Sequence, residues 1–288
     1  MTPLRQKMID AMILRGFAAR TQQSYLYAVT QLAKHYHLSP DKISDDDILA
    51  FFLYLAKEKK LASSSCRLHL NALRFLYREV LGRPDFDSEI RTPKKPQRIP
   101  ELLTRQEALA IVNALANFKH RVLLMTCYGC GLRVSELVNL QVKHLDHARQ
   151  LIRIEQAKGA KDRLVLMPPS LAQDLDDYQR SHRPGHWLFD GQQATRRLSI
   201  TSAQRLFHNA KRRAGIHKQG GIHSLRHAYA THQLEAGMPV HQLQRLLGHT
   251  DIRTTMRYMH WIPRHDPNVG TDLLASRTTG LAGEQAHE

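Results

Sequence analysis

The sequence predicts a mainly α-helical protein with a small β-sheet, arranged as a four-helix N-terminal domain and a larger α+β domain. Three observations predict it. Apolar residues recur at helical spacing through residues 1–88. The segment RTPKKPQRIP (91–100) breaks that pattern with three prolines and favours an extended chain. Beyond it, LIRIEQ (151–156) and RLVLM (163–167) read as two strands among helical patterns. A chain of 288 residues can bury two separate cores.

The elements follow in order. An amphipathic stretch covers residues 3–15 and ends at Gly16. Thr21 is a cap for a second helix to about His37, with Tyr25, Val29, Leu32 and Tyr36 at helical spacing. Ser44 and the acids Asp45 to Asp47 open a third helix, where negative charge suits the helix dipole. Its apolar face is Ile48, Phe51, Phe52 and Leu55. Ser63 to Ser65 begin a fourth, which turns Leu73, Leu76, Tyr77 and Val80 inward and stops at Gly82. Domain one thus spans residues 1–88 and a basic linker spans 89–100.

The second domain is expected over residues 101–265. Thr104 with Glu107 forms a capping box for a helix to about Asn117. His120 to Tyr128 is strongly apolar, hence buried, and Gly129 and Gly131 break it. Arg133 follows directly, between Leu132 and Val134. A charge so placed needs an anion or a carboxylate partner, and Glu136 lies one turn on. AKGAKD joins the two strands as a hairpin with Gly159 at its tip and Lys158 and Lys161 beside it. Ser170 is a cap for a helix to about Arg180, and Thr201 or Ser202 for one ending near Gly215. The latter carries the basic run Lys211, Arg212 and Arg213.

Residues 223–258 read as helix, turn, helix, turn, helix. His223 and Arg226 share one helical face. Gly237 and Pro239 separate the first two helices, and Gly248 ends the second, leaving His249 in a tight turn. Thr250 or Asp251 caps the third, which carries Tyr258. Trp261 and Ile262 are expected to pack on the domain. The tail, 266–288, is polar and Gly-containing.

Lys plus Arg number 42 against 26 Asp plus Glu, a formal net charge of +16. That surplus favours a polyanion partner. No apolar run approaches the ~20 residues that span a bilayer, and no signal-peptide core opens the chain, so a cytoplasmic protein is expected. Three cysteines give no disulfide framework, and the one C-x-x-C (Cys127, Cys130) has no second pair to complete a zinc site. His223 and His227 lack the neighbouring Glu of a zinc protease. No metal and no cofactor are expected.

The segments H-x-L-R-H (223–227), L-L-G-H (246–249) and a Tyr nine residues after His249 resemble the C-terminal signature of tyrosine recombinases, the phage-integrase or Xer-type family. GLRVSEL (131–137) resembles that family's first arginine box, and AKGAKDR (157–163) its lysine hairpin. The resemblance implies a SAM-like core-binding first domain and a catalytic second domain closing as a clamp on double-stranded DNA. It implies strand cleavage and rejoining through a 3′-phosphotyrosyl link, without metal or ATP. By resemblance Arg133 and Arg226 hold the scissile phosphate, His223 serves as base or donor, His249 donates, Lys158 protonates the leaving oxygen and Tyr258 is the nucleophile. Glu136 and His227 support them from behind. Lys94, Lys95, Arg98, Lys161, Lys211, Arg212 and Arg213 are candidate DNA contacts. Four protomers are expected in the synapse, and a monomer or weak dimer off DNA. Two other readings compete: a type IB topoisomerase with the same chemistry, and a non-enzymatic helix-turn-helix regulator built on 223–258.

Overall fold

The structure is a computed structural model that describes residues 2–84, 86, 100–157 and 161–261, with the backbone alone at 156, 157 and 161. The chain divides into two compact units, Met1–Arg98 and Ile99–Glu288. Most of the expected linker, including Lys94, Lys95 and Arg98, lies outside the described residues, as do Lys158 at the hairpin tip, Ile262 and the tail. No described helix is long and apolar enough to cross a membrane.

The first unit holds α1 (Pro3–Leu14), α2 (Ala19–Tyr36), α3 (Asp45–Lys57) and α4 (Ser63–Arg74). The last runs on as a π-helical segment, Phe75–Val80. Ser44 caps α3 by accepting from the Asp47 N–H. All four residues of the predicted α3 face are buried. So are Leu73, Leu76, Tyr77 and Val80, and the buried Tyr77 hydroxyl donates to the Pro40 carbonyl at 2.6 Å. Helix α2 departs from expectation: it begins at Ala19 without a side-chain cap, which places Thr21 inside its first turn. Here the extended backbone at Ala18 starts the helix, and the hydroxyl is not needed.

The second unit opens with α5 (Arg105–Asn113), which carries the complete Thr104–Glu107 capping box. It ends four residues before Asn117, which instead caps α6 (Phe118–Gly129). Val122, Leu123 and Leu124 of α6 are fully buried, and α6 packs against α8 (Pro169–His182) and α10 (His223–Glu235) at the centre of the core. Cys127 and Cys130 are buried and free, packed among apolar neighbours.

A short helix α7 (Val134–Val138) leads to an antiparallel sheet ordered β1 (Leu145–Asp146), β2 (Leu151–Ala157), β3 (Lys161–Leu166). The strand β1 was not foreseen; two residues carry no readable alternation. Ile152, Ile154 and Val165 point into the core, while Leu164 and Leu166 face outward. Ser170 does not cap α8, since Pro169 already occupies its first turn. Ser199, not Thr201 or Ser202, caps α9 (Ile200–Arg213). The remaining helices are α11 (Val240–Leu247) and α12 (Ile252–Met259), the latter capped by Asp251.

Candidate active site

Two glycine turns set the frame. Gly131 closes α6 at φ +59°, and a Cβ there would meet the Tyr229 ring at 2.3 Å, so the α6–α7 turn lies directly on α10. Gly248 closes α11 at φ +62°, against the Arg163 side chain. Both positions need the left-handed backbone that glycine adopts without strain. Arg133 and His249 stand just beyond these turns and are held there by backbone rather than by long flexible loops.

Arg226 sits on the face of α10 that meets both turns and is only 1% exposed. Its guanidinium donates to the Gly131 carbonyl and to the Leu247 carbonyl, each at 2.7 Å. It also lies 3.1 Å from His249 Nε2. Since Arg226 can only donate, that nitrogen accepts, and the proton of the neutral ring sits on Nδ1, 2.8 Å from the Thr255 hydroxyl. Burial and the guanidiniums of Arg226, Arg133 and Arg163 push the His249 pKa down to about 4, which keeps the ring neutral.

Arg133 donates to Glu136 Oε1 at 2.7 Å and to the Gly248 carbonyl at 3.3 Å. Its backbone N–H donates to Glu136 Oε2 at 2.8 Å. Glu136 is 7% exposed. Burial alone would raise its pKa, but the hydrogen bonds and charges of Arg163 and Arg133 overrule it and bring it to about 2. Glu136 also lies 3.8 Å from Arg226. Three guanidiniums therefore share one carboxylate, a surplus of two positive charges around the 246–249 turn. Burial, followed by the charges of Arg133 and Arg163, brings Arg226 down to about 10 against the pull of Glu136. An anion would complete the cluster.

Tyr258 lies against this cluster, 4% exposed. Its ring stacks on His249 (centroids 6.3 Å apart, 9° between planes) and meets Trp261 edge-on at 5.1 Å. Burial raises the phenol pKa; the charges of Arg226 and Arg133 and a hydrogen bond with Arg226 oppose the rise. The hydroxyl is 3.1 Å from His227 Nδ1. Burial, His223 and Arg226 lower the His227 pKa to about 4.

Several expectations change in detail. His227, expected behind the site, touches the Tyr258 hydroxyl directly. His223 is exposed at the start of α10 and neighbours His227 (ring centroids 5.0 Å apart) rather than the phenol. One helical turn separates the two rings, and the Tyr258 hydroxyl reaches the inner one. Lys211 is not a free cation: its ammonium donates to the Lys218 carbonyl at 2.5 Å and to that of Gly220, closing the loop before α10. Arg212 and Arg213 are exposed, and the Lys161 backbone at the start of β3 pairs with Ala157 at the end of β2. His232 bridges Tyr128 and the Leu103 carbonyl.

Sequence reading missed Arg163 and Thr255. Arg163 shares the inward parity of Val165 on its strand and of Met167 just beyond it, an available signal for a buried, partnered charge. Thr255 precedes Tyr258 by three residues on the same helical face.

Comparison with known proteins shows the family. Residues 101–265, more than half of the chain, match the model of the phage integrase family, and residues 4–85 match its N-terminal SAM-like domain. A putative integrase/recombinase, y4qK of Sinorhizobium fredii, is 41% identical over 260 residues, covering 90% of this chain and 84% of that protein. The chain is a tyrosine recombinase of the phage integrase family. The recombinase is also 32% identical over 280 residues to tyrosine recombinase XerD of Yersinia pestis, covering 90% and 92% of the two chains. Its fold matches a lambda integrase (75–356) dimer bound to a COC′ core site, with TM-score 0.72 over 87% of this chain and 95% of that one at 20% identity. Family membership carries site-specific DNA recombination with it and gives no support to the topoisomerase and regulator readings.

Proposed function

We propose that this recombinase cuts one strand of double-stranded DNA at a time by transesterification at Tyr258, and that Arg133 and Arg226 grip the scissile phosphate. The observation that carries the proposal is the convergence of two arginines, ninety-three positions apart in sequence, with His249 and Tyr258 around a cluster short of negative charge. A phosphate entering there supplies the missing anion. The guanidiniums' forked donors then stabilise the charge that builds on the non-bridging oxygens.

The Tyr258 oxygen bonds to phosphorus as the bond to the 5′-oxygen breaks. The phenol proton passes to an imidazole; His227, in contact with the hydroxyl, is placed for it, and His223 is left to the phosphate. Lys158, assigned from the hairpin motif, protonates the departing oxygen. His249 must gain a proton on Nε2 before it can donate to the phosphate, and the arriving negative charge promotes that gain. The phosphotyrosyl link conserves the bond energy, so a second strand's 5′-hydroxyl reverses the step without ATP. Arg212, Arg213, Lys161 and the linker cations Lys94, Lys95 and Arg98 are assigned to the DNA backbone, where contacts bring affinity but little sequence information. Exchange within a four-protomer synapse, assembled on DNA from monomers or weak dimers, belongs to the same reading, as does a cytoplasmic location.

The test is recovery of DNA covalently bound to the full-length protein in cells. Wild type should yield a discrete set of trapped sequences and Tyr258→Phe none. Equal recovery from both would end the proposal.

A further inference from the structure

Arg163 has no task in that mechanism, yet its side chain is only 9% exposed. It occupies a strand face otherwise filled by Ile152, Ile154 and Val165. A buried guanidinium is costly to desolvate, and an apolar side chain of similar volume often serves stability as well. Its retention among aliphatic neighbours asks for a reason beyond packing.

We propose that Arg163 is a positioning residue that locks Arg133 and His249 into the geometry that grips the scissile phosphate. The inference rests on the reading of the site given above. Both terminal nitrogens of Arg163 donate to Glu136, at 2.9 Å to Oε1 and 2.7 Å to Oε2. This planar, two-point grip fixes the rotation of the carboxylate, and the carboxylate in turn orients Arg133. The third donor, Nε, reaches the Leu246 carbonyl at 2.8 Å. The stem of Arg163 packs on Gly248, so closely that a Cβ there would stand 2.9 Å from its Cδ. His249 follows immediately. One side chain thus fastens the α7 carboxylate and the α11–α12 turn to β3, and both elements that bear on the phosphate are set by it. Lysine offers a single ammonium in place of this fork and cannot meet all three acceptors.

The experiment compares wild type, Arg163→Met, Arg163→Lys, Glu136→Gln and the Arg163→Met/Glu136→Gln pair. It uses a suicide duplex built from the sequence trapped on the wild-type protein. DNA affinity and single-turnover cleavage at saturating protein are read separately. The proposal expects Arg163→Met to bind DNA within ~3-fold of wild type but to cleave on the order of 100-fold more slowly. Arg163→Lys should recover only a minor part of that loss. The double variant should lose far less than the product of the two single losses, because both changes break one linkage. Cleavage by Arg163→Met within ~3-fold of wild type overturns the proposal, as does a loss confined to affinity or independent multiplicative losses. Should Arg163→Met fail to fold, Arg163→Lys is read by the same criteria. Failure of the wild type itself to form an adduct refutes the parent reading and is seen in the first lane.

Discussion

Glu136→Gln tests the electrostatic logic of the site. The substitution keeps the shape of the side chain and removes its charge. In the folded protein the carboxyl pKa stands at about 2, against an ordinary value of 4.5. Each unit is worth ~1.4 kcal/mol, so the surroundings favour the charged over the neutral form by about 3 kcal/mol. With the carboxyl side chain 5% exposed, solvent screening takes little from that figure. Uncoupling a buried pair typically costs a similar ~3–5 kcal/mol. Both tryptophans of the chain, Trp187 and Trp261, lie in the second unit, so tryptophan fluorescence reports that unit's unfolding. At ~2–4 °C per kcal/mol for a unit of this size, its midpoint should fall by roughly 6–12 °C. Bound duplex brings an anion to the same guanidiniums, so the loss should shrink when the protein is saturated with DNA. A midpoint within about 2 °C of wild type, or an equal fall with and without DNA, would refute the reasoning.

Other outcomes follow from the same geometry. Gly131→Ala combines left-handed backbone strain with a collision against Tyr229, and should destabilise the second unit by about 2–4 kcal/mol, measured by denaturant titration. His227 and His249, at about 4 when folded, titrate near 6.5 once unfolded. The unfolded chain therefore binds protons first, and the second unit should lose stability as the pH falls from about 6.5 towards 4, by roughly 3 kcal/mol or more, with a further loss below about 4.5 as Glu136, held at about 2 when folded, takes up its proton. His249→Asn should flatten that slope. Chelators should leave strand cleavage intact, since the proposed mechanism gives the guanidiniums the role that metals take elsewhere; abolition by EDTA would contradict the scheme.

Much of this was legible in the sequence where the cause is local. The caps at Ser44 and Thr104, the apolar face of α3 and the glycine stops at Gly131 and Gly248 each act within a few residues. The arginine, histidine and tyrosine cluster was legible through its motifs, because helix spacing and glycine turns deliver those groups in a fixed order. What the sequence hid depends on partners distant along the chain. Arg163 meets Glu136 across a sheet and a turn. Lys211 reads as one of three equivalent cations until the loop at 218–220 folds over it. The starts of α2, α8 and α9 were misplaced because Thr21, Ser170 and Thr201 are good caps by composition. The backbone at Ala18 and Pro168, and the hydroxyl of Ser199, opened those helices earlier.

The most direct measurement is mass spectrometry of the covalent complex after nuclease trimming of its DNA. A nucleotide attached through a 3′-phosphate to the Tyr258 peptide is the predicted result. Attachment to any other residue, or a cleaved strand with no protein joined to it, would contradict the account.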